Sequence, residues 1–249
     1  MNNLVSYIYT IADNALILGQ RLGELCGHGP SLETDIAMTN LSLDLFGQTR
    51  SYYQYAASVL GQGATEDTLA FLRQEREYRN VLLVEQPNTD FAYTMARQYL
   101  FDEFHLLLLD GLQHSADDTL QAIAKKSIKE VSYHRRFSSD WILRLGDGTP
   151  ESHERIQKAI NDLWAYTDEL FLDTPAEAQM ASLGVGVAVS TLRQAWLQNV
   201  AALLEKATLQ MPEQTYFQKG GKQGIHSEHM GYLLADMQYM QRTFPNMTW

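Results

Sequence analysis

Apolar residues recur at steps of three and four along most of the sequence, which is the period of an amphipathic α-helix. The first such run is Leu4, Ile8, Ile11, Ala15, Leu18, Leu22 and Leu25. Turn-forming residues separate the runs, most clearly at 146–150, which reads Gly-Asp-Gly-Thr-Pro. The pattern predicts helices over about 4–25, 32–60, 90–114, 118–145, 151–172, 190–209 and 226–242, with a short helix after Thr65.

Long helices joined by short loops predict an all-α protein. The most economical arrangement is an up-and-down four-helix bundle with additional helices, in a single domain spanning 1–249. Two stretches, about 173–189 and 210–225, are expected to be irregular. Residues 183–187 could form a short extended piece, although no other segment pairs with it.

The composition excludes several classes of function. A formal net charge of −11 disfavours nucleic acid, because the phosphates would be repelled. No apolar run reaches the roughly 18 residues that a membrane-spanning helix needs. The N-terminus lacks the basic and then apolar pattern of a signal peptide, so we expect a cytoplasmic protein with neither nucleic acid nor a membrane as partner.

The chain contains a single cysteine, Cys26. One cysteine cannot form an internal disulfide. Because Cys26 lies near the end of the first apolar run, we expect a buried structural thiol rather than a reactive one.

Helical bundles often hold paired iron or manganese ions through Glu-x-x-His units, since residues three apart share a helical face. No Glu-x-x-His occurs here. The nearest approaches are Asp102 with His105, where the acid is shorter, and Glu130 with His134, where the spacing is four. Without a complete ligand set, a buried polar network is favoured over a metal site.

The second long helix is a poor source of metal ligands. Asp44 could bind a cation, but Leu45 beside it has no lone pair to donate. Gln48 offers only an amide, which is a weak substitute for imidazole.

The C-terminal region holds a second group of candidates. His226 and His229 are three apart and could bind zinc, but histidines at a helix start more often cap it or pair with carboxylates. Glu228 suits the positive end of the helix dipole. Lys219 and Lys222 flank two glycines and could contact an anion, although the spacing of a phosphate-binding loop is missing.

Several stretches together resemble PaaC, a family that supplies one of the polypeptides of the bacterial phenylacetyl-CoA epoxidase, and the likeness extends over essentially the whole chain. The matching stretches are 18–24, 44–48, 82–88, 128–130 with Tyr133 and His134, 220–231, 234–242 and the final Trp249. Their number and order make the resemblance specific.

The resemblance implies a ferritin-like helical fold. In that enzyme PaaA holds two irons, and PaaC is its paralogue without a working site. The complex epoxidises the aromatic ring of phenylacetyl-CoA with dioxygen during phenylacetate breakdown, and a reductase supplies electrons from NADPH. If the paralogue's Glu-x-x-His aligns with 45–48, then Leu45 and Gln48 replace ligands, and Val131 takes the acid position before His134.

We therefore predict a non-catalytic subunit that binds no metal or cofactor itself and stabilises a diiron partner. Asp44, Leu45, Gln48, Asp102, His105, Glu130 and His134 would be the remnant of a metal site. Lys219, Lys222, His226, Glu228 and His229 could contact the partner or the acyl-CoA, and the chain alone could form a homodimer. The alternatives are a self-sufficient metal oxidase using Asp44 and the acids and histidines of the remnant, and a generic helical adaptor.

Overall fold

The computed structural model describes residues 2–213, 216–245 and 247, so Trp249 lies outside the described residues. Within these ranges the chain forms helices and no β-strand. The α-helices are α1 (Asn3–Gly23), α2 (Leu32–Leu60), α3 (Glu66–Phe71), α4 (Leu82–Glu85), α5 (Phe91–Leu112), α6 (Asp118–Gly146), α7 (Pro150–Trp164), α8 (Pro175–Ser182), α9 (Arg193–Lys206) and α10 (Glu228–Thr243). Short 3₁₀ turns occupy Glu75–Glu77, Asp168–Phe171, Val189–Leu192 and Gly221–Gln223. This architecture confirms the predicted all-α class and is that of a ferritin-like protein.

The helices group into two compact units. The first comprises Met1–Pro87 with Gly220–Trp249, and the second comprises Asn88–Lys219. The single domain over 1–249 stays a prediction.

In the first unit α1 packs along α2, and α10 packs against α3 and the 3₁₀ turn before α4. Helix α1 is buried around most of its circumference, which is the pattern of a central helix. Gly19 permits the close approach of α2, because a Cβ atom there would lie 2.9 Å from Cε1 of Phe46. Ser42 stabilises the same helix crossing, because its hydroxyl donates a hydrogen bond to the Gly19 carbonyl at 2.7 Å.

In the second unit α5 is the central helix and packs against α6, α7 and α9. Buried residues occur on every side of α5 between Ala92 and Leu112. Trp196 of α9 is buried and donates its indole N–H to the Leu100 carbonyl at 3.0 Å. The apolar face of α6 packs on α5 through residues such as Val131 and Ile142.

Cys26 is exposed, so the prediction of a buried thiol was wrong. Helix α1 ends at Gly23, two residues earlier than its apolar period suggests. The chain then turns through Gly27, whose φ is +84°, and this turn lies outside the packed face of the helix.

Two further boundaries differ from the sequence-based prediction. Helix α7 ends at Trp164 rather than near 172, and a 3₁₀ turn follows it. Helix α8 lies inside a stretch predicted to be irregular. Its signal was present: Thr174 caps the helix, Pro175 begins it, and Glu177 completes a capping box.

No helix in the described part of the chain is both long enough and apolar enough to cross a membrane.

Candidate functional site

Asp102 is the centre of a buried polar cluster in the second unit. Its side chain is fully buried on α5. Gln98, one turn earlier, donates to Oδ1 at 2.7 Å, and Ser138 of α6 donates to Oδ2 at 2.8 Å. Both carboxylate oxygens are therefore already occupied by protein donors.

Burial raises the pKa of Asp102 to about 7. The nearby His134 and the hydrogen bonds from Ser138 and Gln98 act in the opposite direction but do not cancel the loss of solvation. At neutral pH this carboxyl is therefore divided between its neutral and ionised forms, which is unlike an ordinary aspartate.

The two candidate histidines of the second unit are also buried. Burial, reinforced by the neighbouring His134, lowers the pKa of His105 to about 3, so its imidazole is neutral at physiological pH. Nδ1 of His105 has no hydrogen-bond partner among the residues that the structure describes. His105 thus packs as a neutral ring, 5.3 Å from the centroid of the Phe101 ring.

Sequence reasoning missed Gln98 and Ser138 as the partners of Asp102. A signal for both existed, because Gln98 lies four residues before Asp102 and Ser138 lies four after His134. Residues four apart share a helical face. The search for acids and histidines alone passed over these neutral side chains.

The position three residues before His134 is apolar. Val131 is fully buried on the same face of α6 as His134. Glu130, the nearest acid in sequence, lies one residue off that face and is only partly buried.

Helix α2 presents a similar inward face in the first unit. Leu45 is fully buried and Gln48 nearly so, and Asp44 lies at the partly exposed edge of the helix. The side chains that face the core here are an alkyl group and an amide.

The described residues do not fit a dinuclear metal centre. Among them, no group of three or more His, Cys, Asp or Glu could hold a metal ion. The one fully buried candidate carboxylate, Asp102, has its two oxygens on N–H and O–H donors rather than open to a cation.

His226 belongs to a second buried cluster, in the first unit. Its Nδ1 lies 2.6 Å from Oε1 of Glu85, and its Nε2 lies 3.2 Å from the Tyr78 carbonyl. Ser227 donates both its backbone N–H and its hydroxyl to Oε2 of Glu85. The structure therefore uses His226 in an internal ion pair, and sequence reasoning missed Glu85 because it lies 141 residues away.

The other C-terminal candidates differ in exposure. Lys222 is buried, with 5% of its surface exposed, in the 3₁₀ turn before α10. Lys219 and Glu228 are exposed, and His229 is partly exposed. A partner contact by these residues stays a prediction.

Replacing Asp102 by asparagine is expected to remove a pH dependence of stability. The folded-state pKa of Asp102 is about 7, above an unfolded value of about 3.9. Its contribution to stability is therefore complete below about pH 4 and is lost as the pH rises through about 7. Urea unfolding of both proteins across this range should show wild type losing stability relative to Asp102→Asn.

The exposed Asp140 of α6 provides the control for this measurement. Asp140→Asn removes the same charge from the same unit, and its stability should follow the pH profile of wild type. A constant difference between Asp102→Asn and wild type at every pH would contradict the raised pKa.

The sequence matches, over residues 1–249, the family described as phenylacetic acid catabolic protein. It is also 49% identical over 249 residues to the C subunit of 1,2-phenylacetyl-CoA epoxidase from Escherichia coli K12. That alignment covers 100% of both chains. The alignment therefore spans both compact units.

Proposed function

We propose, because this chain belongs to the phenylacetic acid catabolic protein family, that it is one of the subunits of a phenylacetyl-CoA epoxidase. In this complex it would bind and stabilise a diiron catalytic partner, PaaA, in the cytoplasm. The remaining subunits and an NADPH-dependent reductase would complete the enzyme, an oxidoreductase of phenylacetate breakdown.

The observation that carries the proposal is the 49% identity with the Escherichia coli epoxidase protein along the full length of both chains. The two chains align from end to end at this identity, which supports the same position in the complex for this chain as for its relative. It favours a specific oxygenase component over a generic helical adaptor.

The non-catalytic part of the proposal is supported by side chains rather than by the alignment alone. Leu45 and Val131 are fully buried, at the positions where the resemblance would place carboxylates of the paralogue's dinuclear centre. Alkyl groups at these positions avoid the cost of desolvating several carboxylates. The chain is thereby more stable but has lost ligands that a metal centre would need.

Co-expression with PaaA from the same organism tests the proposal. Size-exclusion chromatography should show a complex that contains both chains, and iron analysis should find the metal in PaaA. The isolated chain, reconstituted with ferrous iron and a reductant, should retain no stoichiometric iron and consume no oxygen above the protein-free rate.

The variant Asp102→Asn serves as a control within the complex. Because this carboxylate would not be an iron ligand, the complex should keep its iron content and its epoxidation rate. Two tightly held irons in the isolated chain, with oxygen consumption, would instead support the self-sufficient oxidase. Failure to form any complex with PaaA would overturn the proposed role.

A further inference from the structure

Helix α6 carries a row of cations along its outward face. Lys125, Lys126, Lys129, Arg136 and Arg144 are all exposed, and we name them the α6 basic row. At 3.6 residues per turn they fall within an arc of about 100° around the helix axis. The buried residues, such as Val131 and His134, lie on the opposite side.

This concentration of positive charge contrasts with the rest of the chain. Helix α6 contains six of the 19 Lys and Arg residues but only three acids, Asp118, Glu130 and Asp140. The sixth cation, Arg135, is bound to Glu103 at 2.8 Å. Within the described ranges, Lys126, Lys129, Arg136 and Arg144 form no ion pair. Asp140 is exposed within the same arc, one turn from both Arg136 and Arg144, and offsets part of this charge. The remaining positive charge is available to another molecule.

Each of the two arginines of the row lies beside an aromatic ring of α6. The guanidinium of Arg136 lies 5.6 Å from the centroid of the Tyr133 ring, and that of Arg144 lies 5.2 Å from Trp141. Tyr133 is 40% exposed, so part of its ring is open as well. Tyr, Trp and Arg are the residue types that contribute most to protein–protein affinity.

The shape of the row favours a protein over a small anion. From Lys125 to Arg144 it extends about 28 Å at 1.5 Å per residue. A single phosphate-bearing ligand could touch only a part of this length. Nucleic acid is disfavoured because its phosphates are negative along its whole length and the net charge of −11 repels them, whereas a protein needs to be acidic only where it meets the row.

We propose that the α6 basic row, with Tyr133, is a docking surface for an acidic face of another protein of the complex. This inference rests on the proposed function, since it takes the partner to be a protein of that assembly. Charge complementarity would steer the encounter, and the partly exposed Tyr133 would contribute apolar contact area.

Charge reversal in the row tests the proposal. Lys129→Glu/Arg136→Glu should weaken binding of the full-length chain to one purified subunit of the complex by on the order of a hundredfold at low salt. Calorimetric titration with each subunit in turn identifies that partner. Wild-type affinity should fall as salt rises, and the affinity of the variant should depend on salt much less.

Arg155→Glu/Lys206→Glu is the matched control. It makes the same change in net charge at exposed positions on α7 and α9. Its affinity for each subunit should stay within about threefold of wild type, because long-range effects of net charge are weak beside a lost contact. Circular dichroism before titration establishes that both variants are folded.

The outcomes separate this proposal from the proposed function. If wild type binds none of the subunits, both proposals fail together. If wild type binds and the two double variants bind equally well, the docking surface alone is overturned. A different ligand of the row would also overturn the docking surface. This would be the result if coenzyme A, a DNA duplex or a second copy of the chain binds wild type and charge reversal in the row abolishes that binding. In that case the affinity for the other subunits would stay unchanged.

Discussion

Replacing Asp13 by leucine is expected to lower the free energy of unfolding by about 3–5 kcal/mol, because it leaves a buried guanidinium without its counterion. Asp13 and Arg73 are both buried in the first unit, with 0% and 7% of their side chains exposed. A loss of this size is a large share of the stability of an ordinary domain.

The geometry explains why the effect should be large. Two nitrogens of Arg73 donate to the two oxygens of Asp13, at 2.6 and 3.0 Å. Tyr53 and the backbone N–H of Arg79 donate to the same carboxylate, at 2.6 and 2.7 Å. Removing Asp13 therefore takes the carboxylate from four donors, of which the backbone N–H of Arg79 is partly buried and Nη1 of Arg73 keeps only the Glu77 carbonyl at 3.2 Å.

Arg73 cannot escape the cost by losing its proton, because a guanidinium stays charged at any ordinary pH. In the wild type, burial opposes its charge, but Asp13 and the surrounding tyrosines outweigh that effect and raise the pKa of Arg73 above its ordinary value. Its guanidinium carbon lies 4.3 Å from the ring centroid of Tyr9 and 4.1 Å from that of Tyr78. The cation is thus enclosed by aromatic faces that favour its charged form.

A double-mutant cycle in urea measures the coupling between the two residues. Asp13→Leu and Arg73→Met should each be strongly destabilising, and the double variant should lose much less than the sum, since no buried charge remains. Additive losses would show that the two side chains act independently and would contradict the ion pair.

The helices themselves were largely predictable from sequence. The three- and four-residue period located α1, α2, α5 and α6. This works because a helical period reports which face of a segment is apolar. The resemblance placed Leu45 and Val131 at ligand positions of the paralogue, and both are buried in the structure.

The partners of the buried polar residues were not predictable in the same way. Asp13 and Arg73 are 60 residues apart, and Glu85 and His226 are 141 apart. The period of one helix says nothing about which distant segment lies opposite it. Only the partners of Asp102, which are Gln98 and Ser138, lay within reach of a spacing argument, because each is four residues from a candidate on its own helix.

The Glu85–His226 pair gives the other large expected effect. Replacing Glu85 by alanine should cost about 3 kcal/mol or more, because Ser227 and Asn80 lose the acceptor of their hydrogen bonds and each buried donor left unpaired costs about 1–3 kcal/mol. The side chains of both residues are 0% exposed. Besides His226 and Ser227, Asn80 donates to this carboxylate at 2.8 Å.

The pair also predicts a dependence of stability on pH. Both ring nitrogens of His226 face acceptors, the Glu85 carboxylate and the Tyr78 carbonyl, which suits only the doubly protonated ring. Burial opposes this charge, but the hydrogen bond and the charge of Glu85 prevail, with a smaller contribution from Glu75, and the pKa of His226 is raised. Its stabilising contribution is therefore complete below the unfolded value of about 6.5 and is lost as the pH rises through the folded-state pKa.

Unfolding of wild type and His226→Gln at a series of pH values measures this contribution. Wild type should be the more stable protein in mild acid, and its advantage should shrink as the pH rises above about 6.5. The exposed His28 of the same unit supplies the control, because His28→Gln removes a histidine that does not contact Glu85 and should leave the pH profile unchanged. An advantage that grows with pH would mean that the buried ring is neutral, and that Glu85 holds the segment before α10 through Ser227 and Asn80 alone.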